Sequence, residues 1–158
     1  MTIELAVVGK TNQSFVESGL DMYIKRIRRY AGCKVKLIKP GKFSKKMPIA
    51  DIKEREGEEI LKQIDLKNSF VVLLDERGKS YSSIKFASFI QKRMLSGVKK
   101  LVFVVGGAYG FSEKVKQQAH SKLSLSEMTF SHQIIRVLFA EQLYRAFTII
   151  NKEPYHNQ

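Results

Sequence analysis

An α/β fold with a mainly parallel sheet is what this sequence predicts, and three features carry the prediction. Short apolar segments, Ile3 to Val8, Ser69 to Leu74 and Leu101 to Val105, alternate with longer stretches whose apolar residues recur every three or four positions. Several of the short segments are apolar throughout, as strands covered on both faces must be. Glycine-rich or proline-bracketed loops separate the pieces, the punctuation expected when helices cover both sides of one sheet.

Taken in order, Ile3 to Val8 is the first strand. Ser14 with Glu17 three residues later reads as a capping box, opening a helix with Val16, Leu20, Tyr23, Ile24 and Ile27 on its inner side. Cys33, Val35 and Leu37 alternate with Lys34 and Lys36 as a half-exposed strand does. The basic loop from Lys39 to Pro48 surrounds Phe43 with lysines, and two readings of it stand open. It is a disordered connector, or a clamp in which Lys42, Lys45 and Lys46 hold RNA phosphates while an exposed Phe43 stacks on a base. Asp51 caps a helix reaching about Ile64, with Ile52, Ile60, Leu61 and Ile64 inward and Glu54, Glu56, Glu58 and Glu59 outward. Gly57 costs that helix about 1 kcal/mol relative to alanine.

Ser69 to Leu74 is a strand ending at Asp75, and Ser83 begins a helix through Ile84, Phe86, Ala87, Phe89, Ile90 and Met94. Leu101 to Val105 is the fourth strand. Ser112 caps a short helix to about Ala119, and Leu123 to Leu125 forms a brief fifth strand. Ser131 opens the last helix, Gln133 to Ile150, which is apolar nearly all round and so must be buried on most sides. One small domain covers one face of such a helix. The other face suggests a homodimer, the alternative being the central helix of a monomer. Glu141 precedes Arg145 by four residues, the spacing of a structural ion pair.

At 158 residues and 44% hydrophobic, the chain suits one domain spanning 1–158. Its net charge of +13 attracts polyanions, and residues 1 to 50 alone carry +8, so a phosphate-facing surface is expected in the N-terminal third. Cys33 is the single cysteine, which excludes an intramolecular disulfide and a cysteine metal cluster and fits a reducing cytosol. The N-terminus lacks a basic leader, and no apolar run approaches the roughly 18 residues of a membrane span. A soluble, unprocessed, cytoplasmic protein with no membrane partner is expected.

Two nucleotide motifs fail. Gly78-Lys79-Ser80 imitates the end of a P-loop, but that motif needs glycine where this chain has Leu73. Gly106-Gly107-Ala108-Tyr109-Gly110 lacks the dinucleotide spacing, although it follows a strand at the edge where open α/β sheets bind ligands. His120, His132 and His156 have no carboxylate at ligand spacing, so no metal is expected. His120 reads as a helix-surface residue and His132 as a helix-start residue.

The last third of the chain is more specific. The strand Leu101 to Val105, the loop Gly106 to Gly110, Leu123-Ser124-Leu125-Ser126-Glu127-Met128-Thr129-Phe130, the helix start Ser131-His132 and the tail Pro154-Tyr155-His156 occur in that order. Together they resemble the ribosomal RNA large subunit methyltransferase H family, of the SPOUT class of knotted methyltransferases. The resemblance implies a C-terminal deep trefoil knot and a homodimer. It also implies S-adenosylmethionine-dependent methylation of pseudouridine at N3, in 23S rRNA of the assembled ribosome. The implied cofactor-binding residues are Leu74, Gly106, Leu125, Ser126, Glu127, Met128, Thr129 and Phe130. The Tyr-His tail would sit over the methyl donor, with His156 as base or proton relay and Tyr155 stacked on or hydrogen-bonded to the target base. Arg145 or Arg136 would neutralise charge on the imide oxygen.

Two positions depart from the family pattern. Ser131 stands where relatives often carry proline, and Asn157-Gln158 follow the tail pair where relatives usually have arginine or lysine, so a phosphate contact from the tail is not expected. The rival readings are a non-catalytic RNA-binding or ribosome-associated factor, and an α/β enzyme using a nucleotide. The first explains the charge but not the loop and tail, and the second lacks a phosphate motif.

Overall fold

The computed structural model describes residues 1–44 and 46–156. Ten elements alternate along it: β1 (Thr2–Val8), α1 (Ser14–Ile27), β2 (Gly32–Ile38), α2 (Ile49–Gln63), β3 (Phe70–Ser80), α3 (Ser83–Leu95), β4 (Lys100–Val105), α4 (Glu113–Gln118), β5 (Ser121–Ser124) and α5 (Ile134–Ile150). The strands form one parallel sheet in the order β2-β1-β4-β3-β5. The predicted α/β class with a parallel sheet flanked by helices is what is found. Among the described residues no helix is long and apolar enough to cross a membrane.

Side-chain alternation along the strands divides the core in two. Ile3, Leu5, Leu101 and Phe103 face a layer made by α1, α3 and α5, where Leu20, Phe86, Phe139 and Leu143 pack. Ala6, Val8, Val102 and Val104 face α2 and α4, where Ile60, Ile64 and Val115 pack. Glu4, on that second face, is 1% exposed and lies 3.2 Å from both Lys34 and Lys100; these contacts are ionic rather than directed hydrogen bonds. α5 packs between α1 and α3, and its Ile134, Val137, Leu138, Tyr144 and Ile149 are only half covered.

Local chemistry corrects several expectations. Ser14 is the first helical residue of α1 rather than its cap, since Gln13 occupies that place with no side-chain hydrogen bond, so no capping box forms. α2 begins at Ile49 behind Pro48, leaving Asp51 inside its first turn, where a carboxylate still favours the helix dipole. Ser82 caps α3, receiving the Lys85 N–H, and Ser112 caps α4 as expected. Val35 and Leu37 on β2 are largely exposed because β2 is an edge strand. Phe43 is half-buried rather than exposed, and Lys45 lies outside the described residues.

β3 runs past its expected end. A register shift between Leu74 and Lys79 lets Leu123 of β5 pair with both residues, so Asp75 to Gly78 bulge outward between two paired stretches. Asp75 fixes the bulge by accepting the Arg77 N–H. A Cβ on Gly78 would stand 2.7 Å from the backbone of Lys122 and Leu123, so glycine there serves close chain contact, not phosphate binding. His120 is no helix-surface residue either. Its Nδ1 accepts from Val71 N–H and its own N–H donates to Val71 O, extending the β3–β5 pairing.

Candidate active site

Parallel strands deliver their carboxyl ends to one edge of the sheet, and beyond the ends of β4, β3 and β5 lies a cavity of about 480 Å³. Its apolar wall is Leu74, Val105, Leu123, Leu125, Phe130 and Ile135; Gly106 to Phe111 form another side, and the charges are mixed, Lys53, Arg77 and Lys116 against Asp75 and Glu76. Sheets of this class usually bind ligands where strand order reverses, here between β1 and β4. The α5 start plugs that crevice instead. Gln133 accepts from Asn12 N–H and donates to Lys10 O. Arg136 donates to Val8 O at 2.7 Å, Gly9 O at 3.1 Å, Thr11 Oγ1 at 2.9 Å and His132 O at 2.9 Å.

Of the residues expected to bind a cofactor, Leu74, Gly106, Leu125, Ser126, Thr129 and Phe130 line this cavity. Glu127 and Met128 do not, and Met128 is 76% exposed. A local turn explains their outward course: Ser126 Oγ accepts from Met128 N–H while Ser126 O receives the Ser124 hydroxyl. Ser131 ends the turn by accepting the Ile134 N–H, as a cap would.

The tail group lies elsewhere. None of Arg136, Arg145, Tyr155 and His156 lines the cavity of its own chain. α5 starts at the cavity with His132 and Ile135 and ends near Tyr30, whose hydroxyl donates to Glu153 at 2.6 Å. From there Tyr155 folds back onto α5: its hydroxyl donates to Glu141 at 3.2 Å and its ring stands edge-on to Tyr144. Arg145 pairs with Glu141 at 2.5 Å, as the spacing predicted, and its guanidinium lies 4.9 Å from the Tyr155 ring centre. Burial pushes the Tyr155 hydroxyl pKa up, and the hydrogen bond with Tyr23 and the Glu141 charge add to the rise. Nδ1 of His156 is buried with no hydrogen-bond partner among the described residues.

Arg136 is fully buried, and its donors go to backbone and Thr11 rather than to the cavity. Arg136→Ala is therefore expected to lower stability by about 3 kcal/mol or more, because buried carbonyls lose their partners. Arg136→Lys should recover part of that loss. Urea unfolding measures both, and a stable Arg136→Ala protein without turnover would restore a direct role in the reaction.

Among the residues whose place at the site is not legible in the sequence are His132 and Glu56. His132 lines the cavity, where burial, and secondarily the charge of Arg136, hold its pKa below the usual histidine value. Glu56, expected outward, is 7% exposed and accepts the Gly107 N–H at 2.8 Å. Its signal was spacing: Ile52, Glu56, Ile60 and Ile64 recur every four residues, on one helix face.

A family model described as "Predicted SPOUT methyltransferase" matches residues 1–156. Proteins named ribosomal RNA large subunit methyltransferase H from Christiangramia forsetii, Flavobacterium johnsoniae and Porphyromonas gingivalis are 49%, 47% and 46% identical, each alignment covering 100% of both chains. Among solved structures, a tRNA (m1G37) methyltransferase from Aquifex aeolicus shares the fold with a TM-score of 0.56 at 14% identity, covering 100% of this chain and 76% of that one. A probable methylase family protein from Haemophilus influenzae gives 0.53 at 12% identity, covering 95% and 66%. This chain belongs to the SPOUT methyltransferase family.

Proposed function

We propose that this protein is a single-domain, cytoplasmic enzyme that methylates N3 of a pseudouridine in 23S rRNA of the assembled ribosome, using S-adenosylmethionine. The observation that carries the reading is the cavity built by Leu74, the Gly106-Gly107 turn, Leu125, Ser126, Thr129 and Phe130. Its roughly 480 Å³ falls in the range of small-molecule sites, about 300 to 1,000 Å³. The lining suits the ligand: apolar walls for adenine, and the main chain of Gly106 at the cavity with no side chain of its own. When bound, S-adenosylmethionine supplies an electrophilic methyl group. A C-terminal deep trefoil knot belongs to the same reading.

The remaining chemistry falls to the chain. N3 of pseudouridine must lose its proton, so a positioned base or a polarised imide oxygen is required. His156 is assigned that role as base or relay, Tyr155 holds the target base, and Arg145 balances charge on the imide oxygen. Arg136 is assigned to the scaffold. Since the tail does not line the cavity of its own chain, the reading requires a homodimer in which the tail of one copy serves the cavity of the other. The half-covered apolar residues of α5 supply a surface for that contact.

Calorimetry tests the cofactor part without RNA. S-adenosylmethionine should bind the purified protein, and no binding at millimolar ligand would overturn the reading.

The topology also supports an RNA path. Lys39, Lys42 and Lys46 follow β2 and Lys10 follows β1, on the same sheet edge as the cavity. Affinity for RNA should fall steeply with salt, with a log-log slope of about −0.7 per phosphate contact on single strands. Replacing Lys42, Lys45 and Lys46 by glutamine should weaken RNA binding and flatten that slope while leaving S-adenosylmethionine binding unchanged. Unaltered RNA binding would reduce the loop to a connector.

A further inference from the structure

A buried carboxylate is costly unless hydrogen bonds satisfy it, and α2 buries one against the glycine-rich loop. Glu56 Oε1 accepts the Gly107 N–H at 2.8 Å. The fit around that bond is close: a Cβ on Gly107 would stand 2.2 Å from Glu56 Oε2. The next residue of α2 holds the other end of the loop. A Cβ on Gly57 would stand 2.3 Å from Ser112 Oγ, the atom that caps α4. Between these two fastenings, Phe111 is buried against Gly106, and Ala108 to Gly110 form an exposed tip.

The peptide between Gly106 and Gly107 is trans, as all the described peptide bonds are. Its carbonyl and N–H therefore point in opposite directions. With the N–H aimed at Glu56 in α2, the Gly106 carbonyl is aimed away from α2. Both glycines line the cavity, whereas Glu56 does not. A negative charge on the N–H side also polarises the peptide, making the Gly106 oxygen a stronger acceptor. Burial raises the Glu56 pKa while the Gly107 bond opposes the rise, and either protonation state retains an oxygen that accepts.

We propose that Glu56 is a positioning residue for the methyl donor: it fixes the Gly106–Gly107 peptide so that the Gly106 carbonyl faces a hydrogen-bond donor of the bound ligand. The inference rests on the S-adenosylmethionine reading above. It adds a buried carboxylate from α2, the helix that also brings Lys53 to the cavity wall. Gly107 is glycine because a side chain there would displace the Glu56 carboxylate, and Gly57 is glycine because a side chain would lift α2 from the loop.

The test combines calorimetry and amide exchange on the full-length protein. In Glu56→Ala the S-adenosylmethionine Kd should rise about tenfold or more, the size expected when a buried hydrogen bond is lost. Glu56→Gln, whose carboxamide oxygen still accepts, should stay within about threefold of wild type. Without ligand, the Gly107 amide should exchange slowly in wild type and Glu56→Gln and rapidly in Glu56→Ala. Gly107→Ala should weaken binding in the wild-type background and do less further damage in Glu56→Ala, where the clash is gone. If Glu56→Ala fails to fold, the comparison of Glu56→Gln with Gly107→Ala decides: Gln at wild-type affinity with Ala impaired supports the assignment. Wild-type affinity in folded Glu56→Ala, or full loss in folded Glu56→Gln, overturns it. Absence of binding by the wild-type protein would instead overturn the cofactor reading, and the exchange rates would still report whether Glu56 holds the loop.

Discussion

Removing Tyr155 to Gln158 should abolish methyl transfer while preserving the fold, the dimer and S-adenosylmethionine binding. The tail adds little to either core, since Tyr155 contacts Glu141, Tyr144 and Arg145 on the half-covered side of α5. Its loss leaves the cavity wall of its own chain unchanged, because neither Tyr155 nor His156 belongs to it. What disappears is the imidazole proposed to take the N3 proton and the ring proposed to hold the base. His156→Ala should cause most of the damage and Tyr155→Phe less. Single-turnover rates on ribosomes lacking the modification, taken from about pH 6 to pH 9, should show a changed profile when the ionisable group is lost. Mixing the truncated protein with a cofactor-site variant should restore activity, because one of the two sites in each mixed dimer is then complete. Near-wild-type turnover by the truncated protein would exclude a catalytic tail and move attention to Arg145.

Gly106→Val should eliminate S-adenosylmethionine binding. A Cβ at Gly106 would meet the Phe111 ring at 3.1 Å, tighter than ordinary contact, and the branched valine adds two methyl groups beyond it. Phe111 is buried against the α2–α4 core, so it cannot yield without moving the loop that it anchors. Overpacking of this kind costs about 1 to 3 kcal/mol of stability. The protein should therefore still fold, with a displaced cavity wall. Calorimetry beside thermal unfolding separates the two effects, and undiminished affinity in a folded Gly106→Val protein would remove the glycine-rich loop from the binding site.

Periodicity made the order and type of the elements legible, because two-residue and three-to-four-residue repeats report directly which faces are buried. What it missed were decisions taken by distant parts of the chain. β3 extends to Ser80 only because β5 pairs a second time beyond the bulge. Pro48, not Asp51, precedes the first turn of α2: its fixed φ suits that place and its carbonyl accepts the Ile52 N–H, although it offers no side-chain cap. Arg136 looked available for chemistry because its partners are in the loop after β1, more than a hundred residues away in sequence. Glu56 matches its outward acidic neighbours by type, but its spacing from Ile52 and Ile60 places it inward.

The cavity wall was legible only in part. The Leu125 to Phe130 run was recognised as one segment, but the Ser126 turn directs Glu127 and Met128 away from the cavity. No local pattern distinguishes them from Thr129 and Phe130, which return to it. Nor could a single chain's sequence reveal that the tail and the cavity are apart, since that follows from the direction of α5 across the sheet.

The most direct measurement is mass spectrometry of 23S rRNA from ribosomes that lack the modification, incubated with this protein and S-adenosylmethionine. One methyl group should appear on a single pseudouridine, at N3, and none should appear when the same ribosomes are treated with the Gly106→Val protein. Bound ribosomes with unmethylated rRNA, or a methyl group on another atom or base, would contradict the account.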